Sequence, residues 1–200
     1  MGMCQTNCYF LYEEGKTDAI FVDPADYGDV LYQKVKEAGF EIKAILLTHG
    51  HFDHIWGVER MKAEAGVFVY ASAAEKPLLG DVVTNLSDQF GRPCTVDADI
   101  YMKDGEEATV AGMTFQMIDT PGHTAGGCCY YFKEDGILIA GDTLFEESVG
   151  RTDFATGSAS TLVRSIKEKL FVLPDETRVY PGHGGQTTIG HEKKYNPFCQ

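Results

Sequence analysis

Short apolar runs alternate with longer amphipathic stretches along this chain, and their two periods predict its elements. Tyr9 to Tyr12 and Ala19 to Val22 read as strands, joined by the turn chemistry of Glu13-Glu14-Gly15-Lys16. From Val30 to Ala38 the apolar positions Val30, Leu31, Val35 and Ala38 recur at helical spacing, and Gly39 supplies a stop. Ala44 to Leu47 is a short buried strand. Ile55, Val58, Met61 and Ala65 follow at helical spacing and are closed by Gly66. Val67 to Tyr70, Thr114 to Ile118, Cys128 to Phe132, Ile137 to Ala140 and Arg178 to Tyr180 read as further strands. A helix from about Ser160 to Leu170 sets Leu162, Val163, Ile166 and Leu170 on one face. The stretch from Ala74 to Asp99 fits neither period and is expected to hold helical pieces and loop. No linker, short repeat or biased segment interrupts, so one domain over residues 1–200 is expected, with sheet layers covered by helices.

Composition narrows the class. The hydrophobic fraction is 44% and the charged fraction 24%, an ordinary globular balance. The longest apolar runs are five residues, against the roughly 18 a membrane helix needs, so no membrane partner is expected. Seventeen basic against 30 acidic residues give −13, which disfavours a nucleic-acid partner. The N-terminus lacks the basic, apolar, small-residue order of a secretory signal. Met1-Gly2 with Thr6 fits the short N-myristoylation pattern, but the strand opening near Asn7 makes Gly2 read as the edge of a folded domain. Six cysteines form no CxxC pair, and the expectation is reduced thiols in a cytoplasmic protein. Cys128 and Cys129 point to opposite faces if they lie in a strand.

The histidines carry the chemistry. His49, His51 and His54 fall in Thr48-His49-Gly50-His51-Phe52-Asp53-His54, directly after a strand. His123 follows Pro121-Gly122 past the strand ending at Ile118. Asp142 follows Gly141 at the end of Ile137 to Ala140. His183 follows Pro181-Gly182 after the strand ending at Tyr180. Apolar strands thus run into loops bearing ligand-type side chains, and strand ends are where sheets gather their sites. Imidazole nitrogens and carboxylate oxygens suit zinc or non-haem iron. Five histidines and two aspartates exceed what one tetrahedral ion can use. Two ions about 3.5–4 Å apart, bridged by a carboxylate and a hydroxide, would use them all.

These motifs, in this order over nearly the whole chain, resemble the metallo-β-lactamase superfamily of hydrolases. The resemblance implies an α+β fold, an αββα sandwich of two mixed sheets flanked by helices. It implies that His49, His51 and His123 hold a first metal, that Asp53, His54 and His183 hold a second, and that Asp142 bridges both. Zinc β-lactamases usually place a cysteine near Asp142 and lack the His54 ligand, which disfavours the antibiotic-degrading branch. Gly141-Asp142-Thr143-Leu144-Phe145, Gly150-Arg151-Thr152-Asp153-Phe154, Thr187 to Glu192 and Asn196-Pro197-Phe198 are similar to short hydroxyacylglutathione hydrolase (glyoxalase II)-like bacterial proteins. Full-length glyoxalase II adds a helical domain that clamps glutathione, and these 200 residues are expected to lack it. Arg151 sits where that enzyme carries a glutathione-contacting lysine and is the candidate substrate contact. Asp153 replaces a contacting tyrosine.

The expected activity is hydrolysis of a thioester or related small ester by hydroxide generated between two zinc ions, with iron or manganese as substitutes. The first metal would stabilise charge on the carbonyl oxygen. Asp53 would orient the nucleophile, making Asp53 and Asp142 the catalytic carboxylates. The alternative is a persulfide dioxygenase of the same superfamily, which binds a single iron through two histidines and an aspartate. An RNA-processing nuclease fits the acidic charge poorly. His191, Lys193 and Lys194 are read as solvated surface, Glu146 and Glu147 as solvent-facing, and Trp56 and Phe52 as packing beside the ligand loop.

Overall fold

Alternation within each strand sorts the side chains into three apolar layers in the computed structural model, which describes residues 1–200. In β2 (Asp18–Val22), Ile20 and Val22 face one layer while Phe21 faces another. The same division runs through β3 (Glu41–Leu46), β8 (Cys128–Phe132) and β9 (Ile137–Gly141). All five residues of β8 are buried, so its sequence carries no polar face. Cys128 enters the middle layer and Cys129 the outer one, as strand geometry requires.

Two mixed sheets produce this layering. The first has the order β1-β2-β3-β4-β5, with β1 (Tyr9–Tyr12), β4 (Phe68–Ser72) and β5 (Ile100–Met102) completing it. The second has the order β13-β12-β9-β8-β7-β6, adding β6 (Glu107–Val110), β7 (Met113–Asp119), β12 (Arg178–Pro181) and β13 (Thr187–Thr188). Ile20, Val22 and Leu46 meet Phe115, Tyr130 and Phe132 between the sheets. Each such side chain gains roughly 1.5–3 kcal/mol by leaving water. Outside the first sheet, α1 (Gly28–Glu37) and α3 (Val58–Ala65) place Leu31, Val35 and Met61 on Phe21 and Ile45. Outside the second, Leu162, Ile166 and Ile189 cover Cys129, Leu138 and Val179. The fold is the αββα sandwich.

Several boundaries differ from the periodic reading. The helix expected through Ile55 to Ala65 is two, α2 (Phe52–Ile55) and α3, broken at Trp56-Gly57. Gly57 N–H donates to Pro24 O at 2.8 Å, and a Cβ at residue 57 would stand 2.5 Å from that oxygen. The chain therefore docks there instead of continuing its helix. From Ala74 to Asp99 only α4 (Lys76–Leu79) and single turns form. The expected helix from Ser160 begins as α5 (Ala159–Ser165) and widens into a π turn at Ile166–Leu170. β6 escaped the pattern because it is an edge strand with no buried residue, and α6 (Ile189–Tyr195) because it is only seven residues long. A small hairpin, β10 (Leu144–Phe145) with β11 (Ser148–Val149), was also unread. No helix is long and apolar enough to cross a membrane, and all six cysteines are free.

Strand direction positions the site. β7 and β9 are both antiparallel to β8, and β12 is parallel to β9, so β7, β9 and β12 end at one edge. Cys128 N–H donates to Thr48 O at 2.9 Å, joining that edge to the end of β3.

Candidate metal centre

Loops leaving β3, β7, β9 and β12 converge there. His49, His51, His54 and His123 are buried, each no more than 5% exposed. Asp53, Asp142 and His183 are partly exposed toward solvent. Ligand-type atoms fall into overlapping groups within 4.8 Å: His49 with His51 and His123; His49 with His54 and Asp142; Asp53 with His54 and His183. All seven sequence candidates are thus brought together. Asp142 stands between the groups. Its Oδ2 lies 3.5 Å from both His123 Nε2 and His183 Nε2, and its Oδ1 lies 3.5 Å from His54 Nε2.

The residues fit a metal by what they leave undone. His49 Nε2, His51 Nε2, His54 Nε2 and Asp142 Oδ1 are buried without a hydrogen-bond partner. Each such atom costs roughly 1–3 kcal/mol, a cost that native folds seldom carry in clusters. A cation bound by these atoms, displacing any proton they carry, removes it. Gly182 keeps the space open, since a Cβ there would lie 2.1 Å from Asp142 Oδ1.

Electrostatics agree. Burial, reinforced by neighbouring imidazoles, holds His49 well below its ordinary value and brings His51 down to about 3. Burial also lowers His123. These rings are neutral and ready to donate lone pairs. At His54 burial opposes charge, but Asp53, Asp142 and Asp23 outweigh it and push the ring up to about 10. The hydrogen bond to Asp53 raises His183. Burial would raise Asp53, yet His54 and His183 hold it well below the usual carboxylate range. The carboxylates draw positive charge to this end of the site.

The metallo-β-lactamase superfamily model matches residues 1–183. This chain belongs to that superfamily. Hydroxyacylglutathione hydrolase GloC of Haemophilus influenzae is 35% identical over 97% of this chain and 92% of its own length. Among solved structures, the BLEG-1 B3 metallo-β-lactamase matches with TM-score 0.93 and 38% identity, covering 100% of this chain and 96% of its own. TTHA1623 in a di-iron-bound form gives 0.87 and 33%, covering 99% and 97%. ETHE1 from Myxococcus xanthus gives 0.81 and 31%, covering 97% and 79%.

In this superfamily member, residues outside the expected set hold the cluster in place. Asp23, 1% exposed, accepts from Thr48 N–H at 2.9 Å, Thr48 Oγ1 at 2.6 Å and His54 Nδ1 at 2.9 Å. It thereby turns His54 Nε2 toward the site. Sequence reading passed over Asp23, although it follows the apolar strand β2 as the other site residues follow theirs. Arg151 O lies 2.7 Å from His123 Nδ1 and orients that ring. Thr6 Oγ1 donates to Asp53 Oδ2 at 2.7 Å. Glu75, also 1% exposed, accepts from Gly50 N–H, Thr124 Oγ1 and Gly126 N–H and ties two ligand loops together.

A cleft of about 760 Å³ opens above the cluster, within the roughly 300–1,000 Å³ typical of small-ligand sites. Phe52 walls it, whereas Trp56 packs on Phe52 and donates Nε1–H to Arg92 O at 2.9 Å. The Arg151 side chain lies at the rim, 70% exposed, with Nε and Nη2 donating to the two carboxylate oxygens of Asp153 at 3.0 and 2.8 Å. His191 pairs with Glu147 at 3.0 Å and does not line the cleft.

Proposed function

We propose that this metallo-hydrolase cleaves thioesters or related small esters with two metal ions, zinc in the first instance. His49, His51 and His123 would hold one ion, and Asp53, His54 and His183 the other, with Asp142 shared. The observation that carries this reading is Asp142, whose two oxygens reach histidines of both sets. Bound ions of this kind lower the pKa of water toward neutrality and polarise a carbonyl. The chain's own groups do the rest. Thr6 and His183 fix the Asp53 carboxylate, leaving it placed to orient the attacking water. Asp23 holds the His54 ring and the Arg151 carbonyl holds that of His123, so neither need reorganise during the reaction.

Leaving-group chemistry favours a thioester. Apart from the cluster itself, the titratable residues lining the cleft are Cys4, Arg151 and Asp153. Arg151 and Asp153 are engaged with each other through two hydrogen bonds, so no free carboxyl or imidazole outside the cluster stands in the cleft as a general acid to protonate a leaving group. A thiolate departs without one, since thiols ionise near 8.5. Likeness to GloC supports hydrolysis of this class, and likeness to a di-iron-bound structure supports two ions. The six free thiols suit a reducing, cytoplasmic setting.

One observation favours a second reading. His49, His54 and Asp142 make a group of two histidines and one carboxylate, the set used by non-haem iron oxygenases, and ETHE1 is a structural neighbour. Elemental analysis of the purified protein, with a panel of thioesters, lactones and β-lactams, separates the two. Two equivalents of metal and faster turnover of thioesters than β-lactams are expected. A single iron that resists reconstitution to two, with oxygen uptake on a persulfide, overturns the hydrolase reading.

A further inference from the structure

The segment Asp81 to Phe90 has its polarity inverted. Asn85 and Ser87 are fully buried, while Val83 is 57% and Phe90 47% exposed. The buried pair is fastened inside: Asn85 Nδ2 donates to Cys94 O at 2.7 Å, Ser87 N–H to Asn85 Oδ1 at 2.9 Å, and Ser87 Oγ to Cys94 O at 3.2 Å. Phe52 N–H donates to Asn85 O at 2.9 Å, which ties the segment to the ligand loop. Leu86 takes φ 69°, a left-handed conformation uncommon for a residue with a branched side chain. Folding alone would bury the apolar set and solvate the polar one. Here the backbone is held so that Val83, Leu86 and Phe90 line the metal cleft, where Phe90 stacks on Phe52 at 4.2 Å between ring centroids.

The charge lining the same cleft is equally specific. Arg151 is its one lysine or arginine, and both carboxylate oxygens of Asp153 already engage that guanidinium. Asp53 and Asp142 belong to the proposed metal centre and Asp153 is paired with Arg151, so the outer wall holds no free cation to fasten an anionic body. Such a wall takes an apolar body instead, which matches the usual meaning of an exposed apolar patch beside a functional cluster.

Resting on the thioester reading above, we infer that Val83, Leu86, Phe90 and Phe52 form a subsite for an uncharged hydrocarbon body of the substrate. That body is either the acyl chain or the alkyl part of the thiol, with the reacting carbonyl at the histidine cluster. A buried methylene gains about 0.8 kcal/mol, so each methylene that enters should raise affinity about three- to fourfold.

The test uses the full-length, metal-loaded protein and two substrate series. One lengthens the acyl group from acetyl to octanoyl on N-acetylcysteamine, and the other lengthens an alkanethiol from methyl to octyl on an acetyl group. In one series kcat/KM should climb about three- to fourfold per methylene over the first steps, mainly through KM. The series that climbs identifies which part of the substrate occupies the wall. Phe90→Ser and Val83→Asp, both at exposed positions, should flatten that climb, whereas Val172→Ser, 72% exposed and outside the cleft, should keep it. Binding is read separately with non-hydrolysable thioethers of rising length. The reporter is the fluorescence of the sole tryptophan, Trp56, whose ring lies 4.6 Å from Phe52. Tighter thioether binding with length that both variants abolish supports the subsite. Hydrolysis with flat length dependence in both series, or a preference for S-lactoylglutathione over every neutral thioester, overturns the subsite and leaves the hydrolase standing. Length-dependent thioether binding with no thioester turnover supports the subsite and overturns the hydrolase.

Discussion

Two buried polar clusters lie side by side at the same end of the sandwich, and they are built on opposite terms. Around Glu75 every acceptor is used: Oε1 takes Gly50 N–H at 2.9 Å, and Oε2 takes Thr124 Oγ1 at 3.1 Å and Gly126 N–H at 2.9 Å. Burial raises the Glu75 carboxyl, and those donors partly offset it. Around Asp142 the opposite holds, and buried imidazole nitrogens and a carboxylate oxygen have no protein partner. A saturated cluster is scaffold, since nothing further can bind to it. An unsaturated one is a candidate site, because folding has left its polar atoms for something else.

Removing the shared carboxylate should break that contrast most severely. Asp142→Ala is expected to lose both metals together and to slow hydrolysis on the order of 10³-fold or more, several kcal/mol of transition-state stabilisation. Metal content after dialysis and turnover at saturating thioester are the two readouts. Retention of two equivalents with near-normal turnover would show that Asp142 is not shared.

Asp23 belongs to both clusters in character, saturated itself yet holding a ligand ring. Asp23→Asn keeps the volume but can present an amide N–H to His54 Nδ1, which spoils the ring's orientation. Metal affinity should fall about 10- to 100-fold, the usual scale for a residue behind a ligand. A competition titration with a chelator measures it. An unchanged affinity would mean that His54 is held by its other neighbours.

Glu75→Gln tests the saturated side. One carboxylate acceptor becomes an amide donor facing donors, which costs roughly 1–3 kcal/mol. For a chain of this size that lowers Tm by roughly 2–4 °C per kcal/mol. Metal stoichiometry should stay at the wild-type value, since no ligand is removed. Stability falling with stoichiometry kept would sharpen the contrast between the clusters. Loss of metal without loss of stability would erase it.

How much of this was legible beforehand depends on what kind of signal each residue leaves. The candidate ligands are reactive types at close spacing just past apolar strands, so His49 to His54, His123, Asp142 and His183 announce themselves. Asp23 follows β2 in the same way and could have been read by that rule. Glu75 could not, because its partners are backbone N–H groups of loops far along the chain. The break at Gly57 was equally hidden, arising from contact with Pro24 that no local period records. The stretch from Thr187 to Asn196 was recognised only as family likeness, and the structure shows what it does. Glu192, 0% exposed, accepts from Thr187 Oγ1 at 2.6 Å, Asn196 Nδ2 at 2.8 Å and Glu147 N–H at 3.0 Å, pinning α6 to the β10–β11 hairpin. The apolar rim was illegible because Val83, Leu86 and Phe90 lie in the stretch from Ala74 to Asp99, which follows neither the helical nor the strand period.

Arg151 should give the smallest effect, and the reason lies in which of its atoms matters. Its carbonyl orients His123, and an alanine keeps that carbonyl. Its guanidinium is 70% exposed and pairs with an Asp153 that is 67% exposed, an arrangement worth at most about 1 kcal/mol and screened by salt. Arg151→Ala should therefore raise KM for a carboxylate-bearing thioester by about two- to threefold and lower kcat by less, with neutral thioesters moving little. Asp153→Ala should act in the opposite direction, freeing the guanidinium and lowering KM for the anionic substrate by a similar factor. Both differences should shrink as ionic strength rises. Steady-state kinetics of paired anionic and neutral thioesters at low and high salt check this. A tenfold or larger loss in Arg151→Ala that persists at high salt would make Arg151 a specific anion contact, and the rim would then belong with the histidine cluster as part of the site.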